Sequence, residues 1–311
     1  MAADNTPPNK PQRTKKSNFG LNLTLPAQIT VTLIVIFPFL ASIYLSLTTW
    51  SPLTGGQTLW FQAYQFWGWF TQYGQLFVDR DFLLALLRTV IIVVIAVPME
   101  FLLGFLLAFL FLDKFPLKKI FHSALLMPMM IVPAVSGFIF YMLFQSNGAV
   151  NAILSRIFFT TIEFTWLSND IAAIICVMIA DIWQWTPLMF LIFLSGLMSL
   201  PEDQLQAAEI LGATPYQRFK TVTLPLMKPV ITIALIIRGV ECIKIFDPIW
   251  IMTTGGPGTA TESISVYMYK LAMKHFEWSK AAAAGLLLVV AISIISLYAM
   301  KTLQKKDRPM G

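Results

Sequence analysis

Residues 83–112 read "LLALLRTVIIVVIAVPMEFLLGFLLAFLFL", a run broken only by Arg88 and Glu100 among charged residues. A helix crossing a bilayer satisfies its backbone polar groups internally and rises 1.5 Å per residue, so about 20 apolar residues cover the hydrocarbon. This run exceeds that length, and similar ones recur. Six spans are predicted, at about Leu25–Leu47, Leu83–Leu112, Ile120–Phe144, Ile171–Leu197, Val230–Trp250 and Ala281–Met300. With 57% hydrophobic and 12% charged residues and a mean hydropathy of +0.71, the chain is too apolar for a soluble globular domain. Membrane lipid is its expected solvent.

Basic residues orient the spans. Alternate loops place Lys10, Arg13, Lys15 and Lys16, then Lys114, Lys118 and Lys119, then Arg218, Lys220 and Lys228, and finally Lys301, Lys305, Lys306 and Arg308 on one side. Arg80, Arg156, Lys270, Lys274 and Lys280 fall on the other. Both termini are therefore expected in the cytoplasm. The basic tails read as topology signals and lipid-surface contacts, not as nucleic-acid sites. Residues 1–18, rich in Pro, Lys and Asn, are expected to be a disordered tail, with a single transmembrane domain over residues 19–311. The first span is too long for a signal-peptide core and lacks a small-residue cleavage site after it, so it is expected to be retained. Aromatic residues crowd the first outer loop from Trp60 to Tyr73, which suits an interfacial belt. Cys176 and Cys242 fall within spans and read as small buried hydrophobes.

Ionisable residues in hydrocarbon are costly and should not face lipid. Glu100 and Asp181 lie within the second and fourth spans, while Arg238, Glu241, Lys244 and Asp247 run along the fifth. A spacing of three puts Arg238, Glu241 and Lys244 on one helical face, where they can partly neutralise one another. Asp181 and Gln184 make a second such face, flanked by Trp183 and Trp185. Adjacent fourth and fifth spans would enclose carboxylate, guanidinium, amide and indole. Those groups suit a sugar, whose hydroxyls take hydrogen bonds and whose C–H faces stack on rings; they suit a structural ion-pair network as well. Arg88, near a span end, is expected to snorkel.

The loop at residues 200–229, "LPEDQLQAAEILGATPYQRFKTVTLPLMKP", is polar where its surroundings are not. Ser199 with Glu202 reads as a helix start and Gly212 as its stop; Thr214, Pro215 and Gln217 restart a helix that Pro225 ends. A compact helix-turn-helix knob on the cytoplasmic side is predicted. Catalytic motifs are lacking: there is no GxxxxGK[ST] loop, no GxSxG elbow, and His122 and His275 stand apart without zinc-ligand spacing.

The knob resembles the cytoplasmic EAA loop of ABC-importer permeases, whose pattern is Glu-Ala-Ala, three residues, Gly, nine residues, Ile, one residue, Leu-Pro. Ala207, Ala208, Gly212, Leu224 and Pro225 match at that spacing, with Val222 in the Ile place and Gln206 where the pattern has Glu. "FDPIWIMTTGGPGTATES", from Phe246, resembles a segment of carbohydrate-uptake permeases of the maltose and glycerol-phosphate type, as do "GFLLAFLF" and other stretches from Leu25 onward.

The resemblance implies an all-α, six-span permease of a type I ABC importer in a bacterial inner membrane. It implies a second, distinct permease chain, two cytoplasmic ATPase subunits that bind ATP and Mg, and an extracytoplasmic sugar-binding protein, with no cofactor in this chain. The expected ATPase-coupling residues are Gln206, Ala207, Ala208, Glu209, Gly212, Leu224 and Pro225. By the same analogy the expected substrate residues are Asp181, Gln184, Trp185, Arg238 and Glu241. The alternatives are a secondary transporter using Glu100, Asp181 and Glu241 as ion sites, and, more distantly, a membrane enzyme acting on a lipid-linked sugar.

Overall fold

A computed structural model describes residues 19–53 and 70–304. The tail over residues 1–18 and Trp60 to Trp69 of the aromatic loop lie outside the described residues. Every regular element among the described residues is helical: α1 (Phe19–Ser46), α2 (Thr71–Val78), α3 (Arg80–Leu110), α4 (Lys118–Met130), α5 (Pro133–Leu143), α6 (Ala149–Ile157), α7 (Asp170–Met198), α8 (Glu202–Ile210), α9 (Pro215–Arg218), α10 (Leu224–Ile243), α11 (Asp247–Thr253), α12 (Ile264–Tyr269) and α13 (Trp278–Gln304). Asp79 starts α3 by accepting from the N–H groups of Asp81 and Phe82, and Asn169 starts α7 by accepting from that of Ala172.

Four of these helices are long and apolar enough to cross a membrane: Thr24–Ser46, Arg80–Leu110, Asp170–Met198 and Trp278–Lys301. The six-span expectation thus holds at its first, second, fourth and sixth members and changes at the other two. The third is two helices, α4 and α5, bent by 98°. Pro133 lacks the N–H needed to continue α4 and forces Val132 into extended backbone, with ψ 134°. The fifth begins at Leu224 and stops at Ile243 instead of running to Trp250. Pro248 cannot donate back to the α10 turn and opens α11 instead.

Helices α3 and α7 form the centre. Gly104 of α3 sits so close to α7 that a Cβ there would lie 2.6 Å from Met189 Cβ and 2.9 Å from the Phe190 backbone nitrogen. Ala96, Ala108, Cys176, Ala180 and Phe190 are buried in the same core. Small residues let the backbones approach, which is how helices gain packing contacts when the surrounding solvent is itself apolar. By contrast α1 is exposed along most of its apolar length, including Val31, Leu33, Ile34 and Phe37.

A smaller cluster of Leu76, Phe82, Ala85, Ile264, Tyr267 and Leu271 packs at the other end of α3 from the knob. There the segment after α11 is held by its hydroxyls. Thr261 donates to Gly256 O and lies 2.6 Å from Thr253 Oγ1, Ser263 donates to Ile245 O, and Thr89 accepts from the Ile264 N–H. Buried Glu262 pairs with Lys270. Arg88 donates to Thr259 Oγ1 at 3.0 Å, tying α3 to the glycine-rich segment.

Candidate functional site

A cavity of about 160 Å³ lies where the two helix breaks meet. The end of α10 supplies Arg238, Glu241 and Lys244, the break supplies Ile245 and Phe246, and α11 supplies Asp247 and Pro248. Pro133 at the start of α5 and Asp181 and Trp185 on α7 complete the wall. The breaks abut closely: a Cβ on Gly137 of α5 would come within 3.0 Å of Pro248 Cα. Non-helical backbone at membrane depth is tolerated where it is buried in protein or lines a cavity, and the α10–α11 break lines one here.

Arg238 organises the cavity floor. Its Nε donates to Glu100 Oε2 at 2.5 Å and its Nη2 to Glu100 Oε1 at 2.9 Å, while Nη2 also donates to Asp181 Oδ2. All three side chains are at most 3% exposed. The Cys242 thiol lies 3.6 Å from Asp181 Oδ2, and the Trp185 ring stands 5.2 Å from the Arg238 guanidinium carbon. Charges this deep persist only when paired, and the fork of a guanidinium matches two carboxylates.

The predicted face of Arg238, Glu241 and Lys244 is therefore split. Glu241 and Lys244 pair with each other at 2.8 Å and are half exposed, while Arg238 turns inward to α3 and α7. Gln184 departs further from expectation. It is fully buried and donates to Ile131 O at 2.8 Å, satisfying a carbonyl freed by the α4–α5 bend, and it is not part of the cavity wall. Asp181, Trp185, Arg238 and Glu241 do converge. Pro133, Phe246 and Pro248 line the cavity without having been among the expected substrate residues, though the Phe-Asp-Pro start of the carbohydrate-type motif marked two of them; Glu100, read only as an ion site of the alternative, holds Arg238.

The knob folds much as read, with two changes. Ser199 does not cap α8; its hydroxyl donates to Gly196 O at the end of α7, and Pro201 occupies the N-cap. Nor does Pro225 end the second helix. Residues Phe219–Thr223 form a π-helical turn that carries α9 directly into α10, so Pro225 occupies the first turn of α10. Gly212, at φ +79°, reverses the chain. Thr214 and Gln217 make a reciprocal cap: the Thr214 hydroxyl accepts from the Gln217 N–H and Gln217 Oε1 accepts from the Thr214 N–H. Arg218 bridges to Glu209 at 2.6 Å. Gln206, Ala207, Glu209, Gly212 and Pro225 are exposed, Ala208 and Leu224 half-buried. Ile210, Leu211 and Tyr216 present apolar surface at 86%, 86% and 70% exposure.

Residues 66–308 match the family described as binding-protein-dependent transport system inner membrane component. The chain belongs to this family. This transport-system component is 36% identical over 274 residues to a probable ABC transporter permease protein, y4oQ, of Sinorhizobium fredii, covering 88% of this chain and 86% of that one. It is 30% identical to the trehalose/maltose transport system permease protein MalF of Thermococcus litoralis, over 82% and 83% of the two chains. Its fold superposes with a TM-score of 0.78 on a bacterial ABC transporter involved in import of the acidic polysaccharide alginate, at 21% identity and over 94% and 97% of the chains. An all-α ABC-importer permease fold is thereby established. The relatives are permease subunits and not enzymes, and the family gives no support to an ion-driven secondary transporter.

Proposed function

We propose that this chain is one of two permease subunits of an ATP-driven, binding-protein-dependent sugar importer, with both termini and the knob in the cytoplasm. In this reading residues 19–311 form one transmembrane domain, in which α10 and the bent α4–α5 pair complete six crossings. The observation that carries the reading is the knob: a capped element whose apolar residues Ile210, Leu211 and Tyr216 face outward with nothing among the described residues to cover them. Exposed apolar surface on an otherwise polar element marks a contact with another protein. The partner it fits is a cytoplasmic ATPase subunit, which holds the ATP and Mg that this chain has no phosphate loop to bind. Gln206, Ala207, Ala208, Glu209 and Gly212 would meet that subunit, with Leu224 and Pro225 fixing the knob to α10.

Sugar is the cargo favoured by the cavity and by relatives named for trehalose/maltose, lactose and sulfoquinovosyl glycerol transport. Asp181, Trp185 and Glu241 offer carboxylates and an indole to hydroxyls and C–H faces, and Arg238 orients Asp181. At about 160 Å³ the cavity is smaller than the roughly 300–1,000 Å³ of ordinary ligand pockets, which fits a pathway completed by a second, distinct permease. Gln184 contributes indirectly, by steadying the α4–α5 bend.

The test is ATP hydrolysis by the reconstituted assembly of both permeases, ATPase subunits and external binding protein. Stimulation by the binding protein loaded with trehalose, maltose or lactose is expected. Uptake that continues without ATP and collapses with the proton gradient would overturn the reading.

A further inference from the structure

One of the contacts between the knob and the helices of the membrane core is a large ring. Phe219 opens the π-helical turn between α9 and α10, and its centroid lies 5.5 Å from that of Phe109 and 6.2 Å from that of Phe105, both on α3. Phe105 in turn meets Phe193 of α7 edge-on at 5.2 Å and stacks with Phe101 at 5.5 Å. Phe101 also meets Phe193 at 5.2 Å. The next residue along α3 is Glu100, whose carboxylate grips Arg238 beside the cavity. The rings form a packed run from the base of the knob to Phe101, one backbone step along α3 from the charged triad.

On the knob side the turn is joined to α8. Arg218, the neighbour of Phe219, is bonded to Glu209 on α8, and α8 packs on the π-turn. The far side is rigid because Gly104 locks α3 against α7. Close-packed interiors compress little, so displacing one member of such a column displaces the next.

We propose that Phe219 is the positioning residue that transmits movement of the knob to α3 and α7, and through Glu100 to Arg238 and the cavity. The proposal rests on the ATPase-docking reading above and adds the contact by which docking is felt in the membrane. π-Turns recur at functional positions in helices, and here the turn presents the Phe219 ring to α3.

Phe219→Ala, Phe219→Leu, Phe105→Ala and the Phe219→Ala/Phe105→Ala double variant are compared in the complete assembly in nanodiscs. The probe is whichever of trehalose, maltose or lactose stimulates wild-type ATP hydrolysis. Phe219→Ala is expected to retain its ATPase subunits and basal hydrolysis but to lose stimulation by about 2- to 30-fold, the range carried by packed side-chain networks. Phe219→Leu, which keeps apolar bulk, is expected to restore most of it. The double variant should be no worse than the more affected single variant, since both break one column. Full stimulation in Phe219→Ala, additive losses in the double variant, or release of the ATPase subunits without rescue by Leu would each overturn the proposal. A wild-type assembly with no sugar stimulation would instead overturn the importer reading beneath it.

Discussion

Arg238 is held by Glu100 from α3 and Asp181 from α7, two carboxylates on one guanidinium with all three side chains out of solvent. Removing the cation leaves buried anions with no counter-charge. Arg238→Met is therefore expected to destabilise the protein by about 3–5 kcal/mol, whereas Glu241→Gln, in a half-exposed pair, should cost about 0–1 kcal/mol. Replacing all three as Glu100→Gln, Asp181→Asn and Arg238→Met should recover much of the single-variant loss, because no buried charge is then left without its counter-charge. Thermal unfolding of the purified variants checks the order. Sequence spacing disclosed the residues but not this arrangement. It reports neighbours on one helix, such as Glu241 and Lys244, and is blind to Glu100, which lies 138 positions from Arg238. The position of Gln184 was hidden for a related reason: its partner is a carbonyl exposed by a bend invisible in a uniformly apolar run.

At the scale of elements, the long helices were legible because lipid demands length and apolarity together. The bends at Pro133 and Pro248 were written in the sequence as prolines, yet hydropathy averages across them. Close helix contact is equally hidden. Gly104→Ala would press a methyl group into Met189 and the Phe190 backbone and is expected to cost about 1–3 kcal/mol of stability. Gly212→Asp is a contrasting case: the position has positive φ but open space, so the chain should still insert and fold. The charge should nevertheless abolish transport-coupled ATP hydrolysis by spoiling the docking face, and normal sugar-stimulated turnover in that variant would count against the assignment.

Away from the knob, α3, α12 and α13 are joined at Asp79, which accepts from Tyr267 at 2.9 Å and from Lys280. Burial opposes its charged form, but the hydrogen bonds from Lys280, Tyr267 and the Phe82 N–H, with the Lys280 charge, outweigh it and hold the carboxyl below its usual 3.8. Because the folded-state value is depressed, the contribution is complete above 3.8 and disappears as pH falls through the lower folded value. The stability gap between wild type and Asp79→Asn, followed by unfolding midpoint, should stay level from pH 8 to about 4 and narrow only below that.

For the whole molecule, two features point beyond one chain: the polar cavity, at about 160 Å³, is smaller than ordinary ligand pockets of roughly 300–1,000 Å³, and the knob presents exposed Ile210 and Leu211. Each is a surface that an assembly would complete, with a second permease in the bilayer and an ATPase below it. The fold class and the knob were legible in the sequence because capping residues, glycine and charge bias act locally. The pairing of distant helices around Arg238 was not, since it is fixed by tertiary packing. The most direct measurement is site-specific crosslinking from a photoreactive residue at Leu211 in an intact, transporting assembly. Capture of the ATPase subunit, changing in yield between nucleotide-free and ATP-trapped states, is the expected result; capture of lipid alone in every state would contradict the account.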